Sequence, residues 1–226
     1  MNINQSMQHT YPKLTLTLND KSYSFSKFQL ITFFIGSPIL SVLIYFFFKL
    51  KVNYWIYELT TQQIVFILIN LFKIDAYVIS NPDHAIFPAV YIPNHPFNEF
   101  YAITINCIAG HVFSILIGVI VCIPRSRAFF SKKAFFWRKL KALISSVVAI
   151  YLLNLFRISL LLYLNYKGIP FVFIHESLFF LSAIIGALIF VIILKKWLPE
   201  SFISIYYSYR LISKKEKKDC INHDCS

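Results

Sequence analysis

The stretch YLLNLFRISLLLYL, residues 151–164, is an almost unbroken apolar run with one arginine, Arg157, set inside it. A guanidinium does not deprotonate in a protein, and at the centre of a bilayer it costs about 2.5–3.5 kcal/mol even on insertion scales. A run this apolar reads as a membrane span, and its single cation calls for an interaction that offsets that cost.

Outward from this run the chain keeps the same character. Its 226 residues are 58% hydrophobic and 18% aromatic, with only 14% charged, and the mean hydropathy is +0.63. A soluble domain of this length has roughly half its residues apolar and cannot hide the excess. The excess falls in blocks, which predicts an all-α polytopic membrane protein with about five to six transmembrane helices. The net charge of +12 does not point to nucleic acid, because the cations cluster beside apolar blocks rather than over a solvated basic domain. Four cysteines, Cys107, Cys122, Cys220 and Cys225, are too few and scattered for a disulfide scaffold. The first 27 residues are polar and Phe28–Phe48 is too long for a signal-peptide core, so no cleaved leader is expected.

Five spans are expected. Phe28–Phe48 is the first, with Gly36 and Pro38 inside it, and Tyr54–Phe72 a weaker second, diluted by Glu58, Thr60, Thr61, Gln62 and Gln63. Lys73–Asn106 carries Pro82, Pro88, Pro93 and Pro96, which exclude a helix, and alternation over Ala89–Ile92 and Tyr101–Ile105 predicts short strands. A third span ends at Ile123 and starts between Phe100 and Cys107. Ala142–Leu164 is the fourth and Pro170–Leu194 the fifth, with Pro170 at its first helical position. The division is then a polar segment 1–27, two spans over 28–72, an extracytoplasmic strand-rich segment 73–106, a core 107–194 and a basic tail 195–226.

Cations set the orientation. Arg125, Arg127, Lys132, Lys133, Arg138, Lys139 and Lys141 precede the fourth span, and the tail from Lys195 to Lys218 holds as many again. These belong in the cytoplasm, leaving 73–106 and Asn165–Ile169 outside. With five spans the N-terminus would lie outside despite Lys13, Lys21 and Lys27, so the direction of the first span stays open. Arg125–Lys141, with Phe129, Phe130, Phe135, Phe136 and Trp137, reads as an interfacial stretch on anionic lipid.

This topology gathers Cys107, Arg157 and His175 from three helices into the outer leaflet, each within ~10 Å of the surface at 1.5 Å per helical residue. A thiol reacts as thiolate, and a cation or a helix N-terminus lowers its pKa. With Asn106 as N-cap, Cys107 falls in the first helical turn. Arg157 can stabilise a thiolate or an oxyanion, and His175 can move a proton, which together make a set for acyl transfer. The bland readings are a snorkelling or carbonyl-paired Arg157, a buried Cys107, and an interfacial His175 bonded to Glu176. His111, one turn after Cys107, is a second candidate base; the two alone are too few for a zinc site. Asn154 is expected to orient Arg157 or bond between helices, and Glu176 to orient His175 or simply open its helix. CINHDC, residues 220–225, has three possible ligands but no fourth and reads as a solvated tail. No metal and no cofactor are expected.

NCIAG at 106–110, LLNLFRISLLLYL at 152–164 and IHESLF at 174–179 resemble the three signature segments of the exosortase/archaeosortase family: a cysteine followed by small residues, an Asn-x-x-Arg helix, and a His-acid pair opening the next helix. The segment LFKIDAYVISNPDHAIFPAVYIP resembles that family's outward lead-in to the cysteine, so the likeness covers about 71–194. It implies a membrane-embedded cysteine protease or transpeptidase in the cell membrane, with its site on the extracytoplasmic side. Cys107 would be the nucleophile, Arg157 the transition-state stabiliser and His175 the acid/base. Its partners would be exported proteins ending in a short motif, a transmembrane helix and a basic cluster, along with membrane lipid; the acceptor would be water or a lipid or glycan amine. The chain departs from the family in its small number of spans and in Ile108-Ala109-Gly110 after the cysteine. The alternatives are a small transporter whose Arg157 binds an anion, and an assembly subunit whose Arg157 pairs with an acid on a partner helix.

Overall fold

The computed structural model describes residues 16–18, 21–23, 25–80, 87–93, 100–126 and 131–210. Asn81-Pro82-Asp83, Pro96, Arg127, Phe129, Phe130, the charge run Lys214–Asp219 and the CINHDC tail lie outside the described residues.

A short hairpin, β1 (Leu16–Leu18) and β2 (Lys21–Tyr23), opens the chain inside the segment read as merely polar. Helix α1, Lys27–Phe48, is the first span. Ser26 caps it: its hydroxyl accepts from the Gln29 N–H while the Gln29 side chain accepts from the Ser26 N–H, satisfying two donors that the helix leaves orphaned. A π turn over Thr32–Gly36 precedes Pro38, where the chain restarts regular helix. Helix α2 follows as Tyr54–Asn70, close to the bounds expected of the second span.

Then comes the antiparallel sheet β3 (Tyr77–Ile79), β4 (Ala89–Tyr91) and β5 (Phe100–Ala102), in the order β3-β4-β5. Pro88 and Pro93 lie on either side of β4 rather than within it. Helices α3 (Gly110–Cys122), α4 (Lys132–Tyr166) and α5 (Phe171–Trp197) complete the core, and residues 200–210 form a last helix, α6.

Three boundaries differ from expectation. The third helix begins at Gly110, not at or before Cys107, because Ala109 takes a left-handed conformation (φ 56°) that breaks the helical path. Asn106 is therefore not its N-cap. The fourth helix starts at Lys132, capped by Ser131, so the basic stretch from Lys132 to Lys141 is the first part of the span helix rather than a separate element. Pro170 sits just before the fifth helix, at the N-cap.

Of the expected five to six spans, three helices among the described residues, α1, α4 and α5, are long and apolar enough to cross a membrane. Helix α3 is apolar but has 13 residues, about 20 Å at the helical rise. Contacts set the relative directions. Gly118 faces Ser37 and Ser41 while Gly36 faces Cys122, so α1 and α3 are antiparallel. Asn154 meets Cys107 and Lys139 meets Val121, so α3 and α4 are antiparallel. Arg157 meets Phe179 and Ile150 meets Gly186, so α4 and α5 are antiparallel as well. Helix α2 behaves otherwise. Tyr151 bonds Gln63 and Thr60, and Tyr163 stacks on Phe72, which makes α2 parallel to α4. Since α1 is also parallel to α4, the segment read as a returning second span continues in the direction of the first.

Two apolar clusters hold the bundle. One joins α2 and the sheet to one half of α4, through residues such as Leu68, Val90, Ile103, Ile158 and Leu162. The other joins α1, α3 and the opposite half of α4 through Phe33, Phe113, Ile120 and Ala142. A small third cluster packs Tyr23, Phe25 and Leu30 on Tyr207 of α6, so the two ends of the described chain meet. Beside it Arg138 forms a forked ion pair with Glu200, at 2.9 and 3.4 Å. Burial, reinforced by the Glu200 carboxylate, pushes the Tyr23 phenol above its ordinary range.

Candidate active site

Three elements deliver the polar groups. Strand β5 leads through Ile103 and Thr104 into a tight turn over residues 105–109, in which the Cys107 and Ile108 amides donate to Thr104 and the Ala109 amide to Asn106, while Gly110 at the helix start donates to Ile105. Cys107 sits in this turn as a free, half-buried thiol. Its sulfur lies 3.8 Å from the Ala102 carbonyl and 3.7 Å from the Thr104 hydroxyl. Both contacts are weak S–H or O–H interactions of the kind a thiol makes when no stronger acceptor is present.

The left-handed Ala109 is what turns the chain from this thiol-bearing loop into α3. A non-glycine residue there costs about 1–2 kcal/mol, and the next position must be small: a Cβ on Gly110 would stand 2.7 Å from the Ile105 side chain. The sequence pair Ala109-Gly110 is thus a geometric device that holds Cys107 outside the helix and beside it.

Helix α4 contributes Asn154 and Arg157, one turn apart. The Asn154 amide donates to the Cys107 carbonyl in a short hydrogen bond, so it bonds between elements rather than to Arg157 and pins the cysteine turn onto α4. Arg157 is partly buried. Its Nε has no hydrogen-bond partner, and no ion pair reaches it among the described residues. Its one specific contact is the Phe179 ring, with Cζ 5.9 Å from the centroid, at the outer limit of a cation–π interaction. Arg157 and His111 line one cavity, and Asn154, one turn before Arg157, holds the Cys107 carbonyl.

A cavity of about 260 Å³ opens beside these groups. At its polar end stand Asn106, His111, Asn154 and Arg157; along the rest of its wall run Ile115, Leu153, Ala183, Gly186 and Phe190. His111, four residues beyond Cys107, therefore shares one space with the guanidinium. His175 does not line it. That imidazole is exposed and stacks on Phe171 (5.7 Å between centroids), which stacks in turn on Tyr101 of β5 (6.0 Å). His175 lies midway between Phe171 and Phe179 on one stripe of α5, so it stands about 6 Å along the axis from the ring under Arg157. Glu176 is exposed beside it.

The structure thus brings Cys107, His111, Asn154 and Arg157 together and leaves His175 and Glu176 on the neighbouring rim. Two contributors escaped the sequence reading. Phe179 was within reach of it, since its spacing from His175 puts the two on one helical face. Asn165, whose side chain accepts from the Tyr101 hydroxyl in a short hydrogen bond and so ties β5 to the end of α4, carried no local signal.

Chemically the set offers an imidazole and a fixed cation on the wall of a mostly apolar space, with the thiol of Cys107 in the adjoining turn and not itself on that wall. Among the described residues no group of three or more His, Cys, Asp or Glu is placed to hold a metal ion. No protein-family model, curated protein or solved structure matches this chain.

Proposed function

We propose that the chain is a membrane-embedded cysteine peptidase or transpeptidase of the exosortase/archaeosortase type. In this reading it acts at the outer face of the cell membrane on exported proteins that end in a short motif, a transmembrane helix and a basic cluster. The observation that carries it is Arg157, whose buried Nε has no hydrogen-bond partner among the described residues, on the wall of an apolar cavity it shares with His111, with the Cys107 turn fastened alongside through Asn154. A buried cation without an anion is costly, and a site that awaits an oxyanion gives that cost a use.

In the proposed reaction the Cys107 thiol loses its proton to an imidazole, and the thiolate attacks a peptide carbonyl. A C–S bond forms and the oxyanion faces Arg157. The C–N bond then breaks, the amine leaves with the proton from the imidazole, and a thioester remains. Water or an amine attacks that thioester, releasing a carboxylate or a new amide and returning the thiol. The motif resemblance assigns the imidazole to His175. The cavity favours His111, which faces the same space as Arg157.

Orientation follows in the same reading. Helices α1, α3, α4 and α5 alternate in direction, and the two ends of the chain meet at Tyr23 and Tyr207. Placing that end in the cytoplasm puts the basic start of α4, Lys195, Lys196 and the N-terminal lysines all inside. The outward N-terminus that five spans required is then not needed, and the sheet and Cys107 face outward.

The test follows a membrane-anchored exported protein with the three-part C-terminal signal, taken from the same genome, by its size and release. Cys107→Ala should abolish processing, and unchanged processing removes Cys107 as nucleophile. His111→Asn and His175→Asn divide the proton role: the essential one should cost on the order of a hundredfold or more. A second reading keeps the same unpaired cation as an anion site of a transporter. It expects Cys107→Ala to be silent and Arg157→Lys to retain part of the function.

A further inference from the structure

We infer that the open edge of β5 is the binding site for an extended peptide, which pairs there as a fourth strand and so presents its carbonyl to Cys107. The inference rests on the peptidase reading and specifies how its substrate is held.

The pairing register fixes which backbone groups are available. Ile103 donates to the Pro88 carbonyl across the β4–β5 ladder at 2.8 Å, so the Pro88/Ile103 pair is hydrogen-bonded. In an antiparallel ladder bonded and non-bonded pairs alternate. Val90/Tyr101 is then a bonded pair, and Ala89/Ala102 and Tyr91/Phe100 are non-bonded pairs. The N–H and C=O groups of Phe100 and Ala102 consequently point away from β4. β5 is an end strand of the sheet order, and both residues are exposed, Phe100 at 62%. Apart from the weak contact of the Cys107 thiol with the Ala102 carbonyl, no hydrogen bond among the described residues occupies these outward groups.

An unpaired edge of this kind is completed by an extended backbone, with main-chain bonds giving affinity. Two features select a peptide substrate over other occupants. The nucleophilic sulfur lies 3.8 Å from the last outward carbonyl of the strand, so the edge ends where the chemistry begins. The cation and the imidazole stand just beyond it, on the cavity side.

The same geometry couples binding to reactivity. A peptide N–H that bonds the Ala102 carbonyl displaces the thiol from its acceptor. The S–H is then free to pass its proton to an imidazole as the carbonyl arrives. An amide donates more strongly than a thiol, so the exchange favours the peptide.

The test alkylates Cys107 in the intact chain in detergent micelles, in competition-free rate measurements read by mass spectrometry. The probes are N-acetyl-tetraalanyl chloromethyl ketone, the same compound with its backbone amides N-methylated at alternate positions, and iodoacetamide. The thiolate displaces chloride or iodide and a C–S bond forms in each case. The peptide probe should label at least about tenfold faster than its N-methylated form, the cost of losing two main-chain hydrogen bonds. Ala102→Pro removes one outward N–H without touching the β4 ladder, and it should lower peptide labelling about fivefold relative to iodoacetamide labelling of the same variant, the cost of one main-chain hydrogen bond. Equal rates for the two peptide forms overturn the edge site while leaving the nucleophile intact, and the N-methylated comparison holds even where Ala102→Pro misfolds. Ala102→Pro changing the oligomeric state with no effect on peptide labelling assigns the edge to a second copy of the chain and overturns the peptide. Failure of iodoacetamide to label Cys107 removes the thiol nucleophile and the edge site together.

Discussion

Two arginines on α4 live in opposite circumstances. Arg138, at one end, is met by both oxygens of Glu200, a carboxylate with 1% of its surface exposed. Arg157 lies about 28 Å further along the helix axis, close to one hydrocarbon thickness, and among the described residues has a phenyl ring but no anion. Forked guanidinium–carboxylate pairing satisfies charge and donors together, so the Arg138 end is complete as it stands. Arg157 instead lines a cavity, and the difference separates a cation that fastens elements from one that faces open space.

The largest effect should come from breaking the fastened one. Arg138→Met strands Glu200 in a buried position, which should lower the unfolding free energy of the detergent-solubilised chain by about 3–5 kcal/mol. Adding Glu200→Leu should restore most of that loss in thermal unfolding, because a buried pair replaced by apolar groups of similar size is close to neutral. A double variant as unstable as Arg138→Met alone would mean that the pair is not what ties α6 to α4.

The reverse holds at the other end. Arg157→Lys should slow processing by about 10²–10³-fold, the usual cost of losing an oxyanion donor, while the unfolding temperature stays the same or rises. Thermal unfolding and processing, measured on one preparation, decide this. If Arg157→Lys destabilises the chain as much as Arg138→Met, the two arginines are alike and the contrast fails.

Packing around two glycines repeats the contrast. A Cβ on Gly118 would stand 2.2 Å from the Ser41 hydroxyl and 2.8 Å from the Ser37 carbonyl, so α1 and α3 approach almost backbone to backbone there. Gly118→Ala should cost about 1–3 kcal/mol, the range for overpacking a filled interior. Gly186, on the cavity wall, would meet only the Ile150 and Leu153 methyl groups, at 3.2 and 3.7 Å. Gly186→Ala should be neutral within about 1 kcal/mol, helped by alanine's helix propensity. Chemical unfolding of both variants compares the filled region with the open one.

How much of this was legible in the chain depends on the range of the interaction. Periodicity and proline placement sufficed for α1, for the two strands β4 and β5, for the apolar part of α4 and for α5, because those signals are local. The start of α3 was not readable, since it depends on Ala109 adopting a left-handed turn that alanine seldom takes. The direction of α2 was hidden too, because Tyr151 and Tyr163 decide it from the far side of the bundle. Of the site, Cys107, Arg157 and His111 were singled out and do converge. His175 was drawn to the same centre by depth and by the motif resemblance, and neither fixes azimuth: it faces the rim column of Phe171 and Tyr101. Glu200 passed as a tail residue, since nothing near it in sequence marks a partner 62 positions away.

Lys139 supplies the intermediate case and the smallest effect. It follows Arg138 directly and donates to the Val121 carbonyl at 2.7 Å, one of the acceptors that the end of α3 leaves orphaned. Its ammonium also lies 5.1 Å from the Phe135 ring centroid. A cation at a helix C-terminus both fills that acceptor and opposes the helix dipole, contributions of about 0.5–1.5 kcal/mol together. Lys139→Met keeps the length of the side chain and removes only these terms, so it should lower stability by about 1 kcal/mol and leave processing unchanged. Arg138, Lys139 and Arg157 then form a graded series on one helix: a carboxylate, a carbonyl and a ring. If stability tracks the strength of the partner across the three, the loss of each cation should matter less to the fold as its partner weakens. Only Arg157, with the weakest partner, should matter more to processing than to folding.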